Sequence, residues 1–209
     1  MKTKISFLVM LFAVTLMMKQ AAAQIETGIH AGLAASTFSP KGNLADNEKV
    51  TFSYSSGVFL SLPLTSSFAV QPELNYLTKG RSNETAVLGV SENTDYVVDY
   101  LQVPLQLQYR NSKISESGRS VFYFNAGPYA AFALNNERRN SSGNKSVILV
   151  DGKNNKTDWG LVLGLGFQTP VLERKVRFDL KYDLGLSEIA GQPDDYRTKC
   201  LSLTVGIVL

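Results

Sequence analysis

The sequence contains one cysteine, Cys200, so no intrachain disulfide can staple the fold. It contains one histidine, His30, and no Cys/His cluster at metal-ligand spacing. No glycine-rich loop sits at a strand–helix junction to cradle phosphate, so neither a cofactor nor a metal is expected. Charge of one sign is scarce too: Lys and Arg number 21 against 18 Asp and Glu, and Lys2, Lys4 and Lys19 account for the excess. Beyond residue 23 the chain is close to neutral, which argues against a polyanion partner such as nucleic acid. Long apolar runs are absent beyond the N-terminal segment, so no spanning helix is expected there. With 44% hydrophobic and 19% charged residues, the chain is no disordered polyelectrolyte. Its 209 residues suit one domain.

Residues 1–23 read as an export signal. Lys2 and Lys4 form a basic start, residues 5–18 are apolar apart from Ser6 and Thr15, and Ala21, Ala22 and Ala23 offer small residues for a signal peptidase. The apolar run falls short of the ~20 residues a spanning helix needs. The expected mature chain is 24–209, and it contains no methionine.

What fills that chain is a beat of period two. In the stretch 175–186, Val176, Phe178, Leu180, Tyr182, Leu184 and Leu186 alternate without fault with Lys175, Arg177, Asp179, Lys181, Asp183 and Gly185. A helix would spread these charges around its circumference, whereas a strand gathers them on one face. The same beat runs through 25–33, 52–62, 68–76, 101–109, 159–167 and 201–209. Residues 120–134 are apolar on both faces and leave their register open. These make eight strands. The connections alternate as well. Short ones fall near 63–67, 111–118 and 169–174, and long polar ones near 35–51, 79–96, 135–157 and 187–198. In an up-and-down meander this puts all short turns at one end, as in transmembrane barrels with short periplasmic turns and long extracellular loops. The apolar runs 86–90 and 147–150 inside long loops extend strands beyond the membrane or form an additional hairpin.

Alternation alone does not say which face is inside. A soluble lipocalin-like carrier buries its apolar face, and a membrane barrel inverts that polarity. Three features favour inversion. The face opposite the large apolar residues carries Gly28, Gly32, Gly57, Gly160, Gly164, Gly166, Gly185 and Gly206, which give a water-facing strand nothing but suit a narrow bore. The aromatics sort into two bands, as the two lipid interfaces favour. Phe68, Tyr109, Phe122, Phe167 and Phe178 fall near the short-turn end. Tyr54, Tyr76, Phe132, Trp159 and Tyr182 fall near the long-loop end. Lastly, closure into a barrel satisfies every backbone hydrogen bond without water. The expected fold is therefore an all-β, eight-stranded antiparallel up-and-down transmembrane barrel with short periplasmic turns and long extracellular loops.

Gln71-Pro72-Glu73-Leu74, Leu101-Gln102-Val103-Pro104-Leu105, Ala126-Gly127-Pro128-Tyr129 and Gly160-Leu161-Val162-Leu163-Gly164-Leu165-Gly166 follow one another in that order. With the opening Gly28-Ile29-His30-Ala31-Gly32-Leu33, this set resembles the PorT-like, porin-family outer-membrane β-barrel domain over essentially all of 24–209. The resemblance implies an eight-stranded barrel in the bacterial outer membrane, with residues in the lumen rather than a catalytic constellation. A few members of that family are tied to secretion or gliding machinery, and the porin label does not itself establish transport. Two features depart from the expected pattern. The chain ends in Leu209 where such barrels usually end in an aromatic residue, and Pro72, Pro104 and Pro128 sit inside strands, where bulges are expected to hold them.

The candidate lumen network is Glu26, His30, Glu73, Gln102, Gln106, Arg110, Asp158, Arg177, Asp179, Lys181 and Asp183. The alternating signs of Arg177, Asp179, Lys181 and Asp183 suit mutual pairing that plugs the barrel; the competing reading is a narrow ion path. His30 could serve a lipid-modifying enzyme if Glu26 or Ser202 approached it, but a hydrogen-bonded lumen histidine is the simpler expectation. Asp194 and Asp195 read as solvated loop carboxylates rather than a calcium site, Cys200 as an unpaired lumen thiol, and Trp159 as an interface anchor. The expected partners are outer-membrane lipids and, through the loops, envelope or surface proteins, with the barrel monomeric. Loop 135–157, rich in Asn, Arg and Lys, is the favoured recognition element.

Overall fold

The computed structural model describes residues 25–40, 49–87, 90–110, 120–140, 145–147, 157–187 and 196–209. The strands are β1 (Glu26–Pro40), β2 (Lys49–Pro63), β3 (Phe68–Val87), β4 (Val90–Arg110), β5 (Val121–Asn140), β6 (Lys145–Val147), β7 (Thr157–Val171), β8 (Arg174–Gly185) and β9 (Tyr196–Val208). No helix occurs among the described residues. Each strand pairs antiparallel with its neighbours. The circuit closes into a ring, with β1 bonded to β9 as well as β2, and β4 bonded to β5. Eight long strands thus form a closed barrel, while the three-residue β6 pairs only with the outer end of β5. Closure leaves no edge and satisfies the ladder internally, which is what hydrocarbon requires of a spanning sheet.

Several strands are longer than their hydrophobic beat. A tilted spanning strand needs about 9–11 residues, yet β3 and β5 have 20 and β4 has 21. The stretch 79–96, expected as a long loop, is instead paired strand from Lys79↔Val98 to Val87↔Val90. Its polar residues escape a period-two apolar reading because that part of the sheet lies beyond the apolar band. The apolar run at 86–90 therefore extends two strands. Val147 joins the added strand β6, and 148–150 lie outside the described residues. The remaining connections at 41–48, 111–119, 141–144, 148–156 and 188–195, with Asp194 and Asp195, also lie outside them. At the opposite end, β7 and β8 join through Leu172 and Glu173 alone, with Leu172 at φ 55°, a left-handed conformation that favours glycine or asparagine.

The prolines correct a second expectation. The ladder between β2 and β3 skips Pro72, resuming from Phe59↔Glu73 at Leu62↔Val70 without a change of register. Pro104↔Tyr129 and Leu107↔Ala126 likewise keep one register around Pro128. The prolines forfeit ladder bonds but create no bulge. Register shifts occur instead between Val50 and Ser55 and between Asp99 and Tyr100, both toward the long-loop end.

The side-chain beat resolves into two surfaces. Leu163, Leu165, Leu180, Leu203 and Ile207 are exposed on the outer face, whereas Arg177, on the opposite face of β8, is 1% exposed. The aromatics Phe68, Tyr109, Phe122 and Phe178 are exposed around the short-turn end, with Phe167 half-buried against Phe122 (ring centroids 4.7 Å apart) and Phe68 against Tyr109 (5.2 Å). Tyr54, Tyr76, Phe132, Trp159 and Tyr182 are exposed toward the other end, joined by Phe52; Phe124 adds to the first group. In β5, where sequence left the register open, Tyr123, Asn125, Tyr129 and Ala131 point inward.

Inward glycines serve a particular purpose. Gly28 is the cross-strand neighbour of Phe59, and Gly166 of Tyr123. A Cβ at either position would run into the partner's ring. The missing side chains let two aromatic rings lie flat against the barrel wall inside a narrow bore. On the outside the constraint is reversed. Leu163→Arg, near the middle of β7, is expected to destabilise the barrel by ~2–4 kcal/mol in bilayer-refolding titrations. A change within error would mean that this face does not touch hydrocarbon.

Candidate functional site

The only place where chemistry-bearing side chains converge among the described residues is the bore, where they stack in four layers. Strand β8 sets the spacing, since its inward residues 175, 177, 179, 181 and 183 climb two residues at a time.

At the short-turn end, Glu26 accepts a hydrogen bond from Lys175 (2.6 Å) and lies 3.7 Å from Arg110. Arg110 also donates to Ser61 (3.1 Å) and to Gln108. Above it, the Arg177 guanidinium is clamped between the rings of Phe59 and Tyr123, with its central carbon 4.3 Å and 4.7 Å from their centroids. It donates to Tyr123 Oη (2.8 Å) and Gln71 Oε1 (3.0 Å) and pairs with Asp179 (3.4 Å), which in turn accepts from Tyr123 (2.7 Å). Planarity and weak hydration suit guanidinium to this stacked position far better than ammonium.

The third layer joins β8 to β3. Lys181 Nζ donates to both oxygens of Glu73, at 2.6 and 2.7 Å, and Glu73 also accepts from Gln71 (2.7 Å) and Asn75 (2.9 Å). Gln102 donates to Asp183 (2.8 Å) across the bore. His30 lies beside this layer. Toward the long-loop end, fully buried Lys79 donates to Asp158 (3.0 Å) and sits over the Tyr129 ring, 4.6 Å from its centroid. Asp158 collects further bonds from Thr198 (3.0 Å), Tyr129 (3.2 Å) and Ser187 (2.5 Å).

Each residue of the sequence-derived network points into the bore, but the pairing differs from the ladder that sequence suggested. Lys181 and Asp183 do not pair with their β8 neighbours; they reach across to Glu73 and Gln102. Several participants were not anticipated. Lys79 and Thr198 fall in stretches that the sequence reads as loop, and Gln71, Gln108, Tyr123 and Tyr129 sit on strands with no charge to single them out. Parity with the charged positions of each strand was the signal that could have found Gln71 and Lys79, which share the inward face of Glu73. Gln106 and Asn125 are buried with neither end of the amide bonded. Cys200 is a buried free thiol. Glu26 is held at the end of the barrel by Lys175 and so does not approach His30. Ser202 shares a small cavity with His30, but no hydrogen bond joins them among the described residues.

Opposite charges match in number within this set: Lys79, Arg110, Lys175, Arg177 and Lys181 face Glu26, Glu73, Asp158, Asp179 and Asp183. The free space among the third-layer side chains is about 10 Å³, room for roughly one water.

An apolar outer belt, a closed antiparallel circuit and a charged interior together define an integral membrane β-barrel. The chain belongs to the outer membrane protein beta-barrel domain family, whose model matches residues 18–191, and it is accordingly an outer-membrane protein. Among solved structures, Neisserial surface protein A is 13% identical with a TM-score of 0.51, over 88% of this chain and 97% of that one. Ail, the attachment invasion locus protein of Yersinia pestis, solved in complex with the heparin analogue sucrose octasulfate, is 16% identical with a TM-score of 0.47, over 89% and 99%. The outer membrane protein OprG of Pseudomonas aeruginosa is 14% identical with a TM-score of 0.43, over 88% and 92%. At such identities likeness is one of fold. No curated protein sequence matches the chain.

The upper layer makes a direct test of the interior. Lys79→Met leaves Asp158 buried without its cation and is expected to cost ~3–5 kcal/mol in urea unfolding, whereas Lys79→Met combined with Asp158→Leu should recover a large part of that loss. Additive losses in the double variant would mean that the two side chains do not act as a pair.

Proposed function

We propose that this protein is a plugged outer-membrane barrel whose role is structural and interactive, not a conduit. The observation that carries the reading is the filling of the bore. Arg177, Lys79, Gln71, Gln106 and Gln108 are all fully buried, and they come from strands on different sides of the barrel. Cross-bore contacts such as Lys181–Glu73 and Gln102–Asp183 replace the water a channel would hold. Eight strands enclose little more than their own side chains, so polar groups here tie strands together instead of lining a passage.

In this reading the barrel is an exported monomer. It is inserted after removal of residues 1–23, is surrounded by lipid at its two aromatic bands, and presents its long-loop end to the outside. The extension of β3, β4 and β5, with the added strand β6, forms a platform for an envelope or surface protein. The ordered motifs of β3, β4, β5 and β7 favour the PorT-like branch and, with it, an envelope- or secretion-associated task. No step of this role is catalytic.

Planar-bilayer recording of the refolded protein tests the plug. Little or no conductance is expected, and Arg177→Ala, which removes the guanidinium clamped between two rings, should raise conductance above the wild-type level. A steady, large open state in the unmodified protein would make the barrel a passive channel.

A further inference from the structure

We propose that the outer face of β4, β5, β7, β8 and β9 binds one phospholipid, with an acyl chain in an apolar groove and the phosphate at Arg174, Thr169 and Ser120. This site faces lipid and is independent of whether the bore conducts. The groove lies between two rows of side chains. Cross-strand pairing carries one row from Tyr109 through Phe124, Leu165 and Leu180 to Leu203 without a small residue. Phe122, Phe167 and Phe178 form the other, two residues nearer the short turns. Rows two residues apart along a strand are separated by ~7 Å, so bulky side chains on both leave a trough between them. Elsewhere on the belt such rows are interrupted by small exposed residues such as Ala31 and its neighbour Ser56. The trough encloses about 480 Å³, within the ~300–1,000 Å³ of ligand pockets, and no charged side chain lines it. It runs obliquely. β4 ends at Arg110, which puts Tyr109 at the rim of the barrel, whereas Leu203 lies well inside β9. A chain that enters at Tyr109 therefore ends in the middle of the apolar belt, as an acyl chain does.

The rim below the aromatic row is polar. Ser120 and Thr169 share one hydrogen bond (2.8 Å), which leaves one of the two hydroxyl protons free to donate. Both belong to the outward set of their strands, directly beyond Phe122 and Phe167. Thr169 pairs with Val176, and Arg174 is the next outward residue of β8. Such a diagonal separation, ~7–8 Å between α-carbons, is within reach of a long side chain. Arg174 is exposed and makes no ion pair among the described residues. A guanidinium beside a free hydroxyl suits the oxygens of a phosphate. One phospholipid answers both features, the anion site and the groove, whereas the apolar side of a second copy of the chain answers only the groove.

Native mass spectrometry of the protein extracted in dodecyl maltoside and titrated with palmitoyl-oleoyl-phosphatidylglycerol tests the site. The expected result is one saturable lipid adduct. Leu165→Trp, which fills the groove, should abolish it, and Arg174→Gln should weaken it about tenfold, the loss of one charge-assisted contact. Leu33→Trp makes the same change at an outward leucine of equal exposure (62% against 61% for Leu165) outside the groove, and should leave the adduct intact. The heat-dependent gel shift of a folded barrel checks each variant, and Leu180→Phe fills the same groove if Leu165→Trp does not fold. Lipid adducts that grow as an unsaturating series would overturn the proposal, as would equal binding by Leu165→Trp and Leu33→Trp. Unchanged affinity in Arg174→Gln would remove the phosphate from this rim. A dimer that disappears in Leu165→Trp, without any saturable lipid, would give the groove to a second copy of the chain.

Discussion

Inside a bilayer a polar group must find its partner within the protein, because hydrocarbon offers none. That constraint organises this molecule at two scales. For the backbone it demands closure, met by the β1–β9 and β4–β5 pairings. For the side chains it demands that each charge turned away from lipid be matched across a space barely wider than the side chains themselves. The barrel is therefore a soluble protein inside out, with leucines and aromatics as its surface and ion pairs as its core.

The geometry of that core follows from the width of the bore. Arg177 can be buried because Phe59 and Tyr123 flank it, and those rings fit because Gly28 and Gly166 lie beneath them. Removing the glycines would displace the rings, and displacing the rings would strip the guanidinium of its stacking partners. The chain thus encodes its most buried cation partly through residues that have no side chain. Lys79, Tyr129 and Asp158 form a second cluster two layers away. With the middle occupied, the proposed interactive role falls to the outer ends of the strands.

Much of the fold was legible in sequence because period-two patterning is a local property. The 175–186 stretch declared its two faces residue by residue, and the glycine-rich face indicated which of them turns inward. Legibility failed where the solvent changes along one strand. Beyond the interface the alternation of apolar and polar residues has no lipid to enforce it, so 79–96 read as loop although β3 and β4 continue paired to Val87 and Val90. Lys79 was lost with that stretch. The prolines misled in a related way, since a residue that cannot donate suggests a bulge, whereas the sheet simply omits bonds and keeps its register.

The sequence by itself determined the strands, the face each turns to lipid, the two heights at which aromatics gather and the set of charges that must share the interior, because each depends on neighbours one or two residues away. Only the tertiary structure decided which charge meets which. Lys181 finds Glu73 on β3, and Arg177 finds Gln71 on the same strand, because closure brings β8 opposite it. Partners separated by 108 or 106 residues carry no local signature of each other. Their meeting is fixed by the curvature and register of a closed sheet, a property of all the strands together.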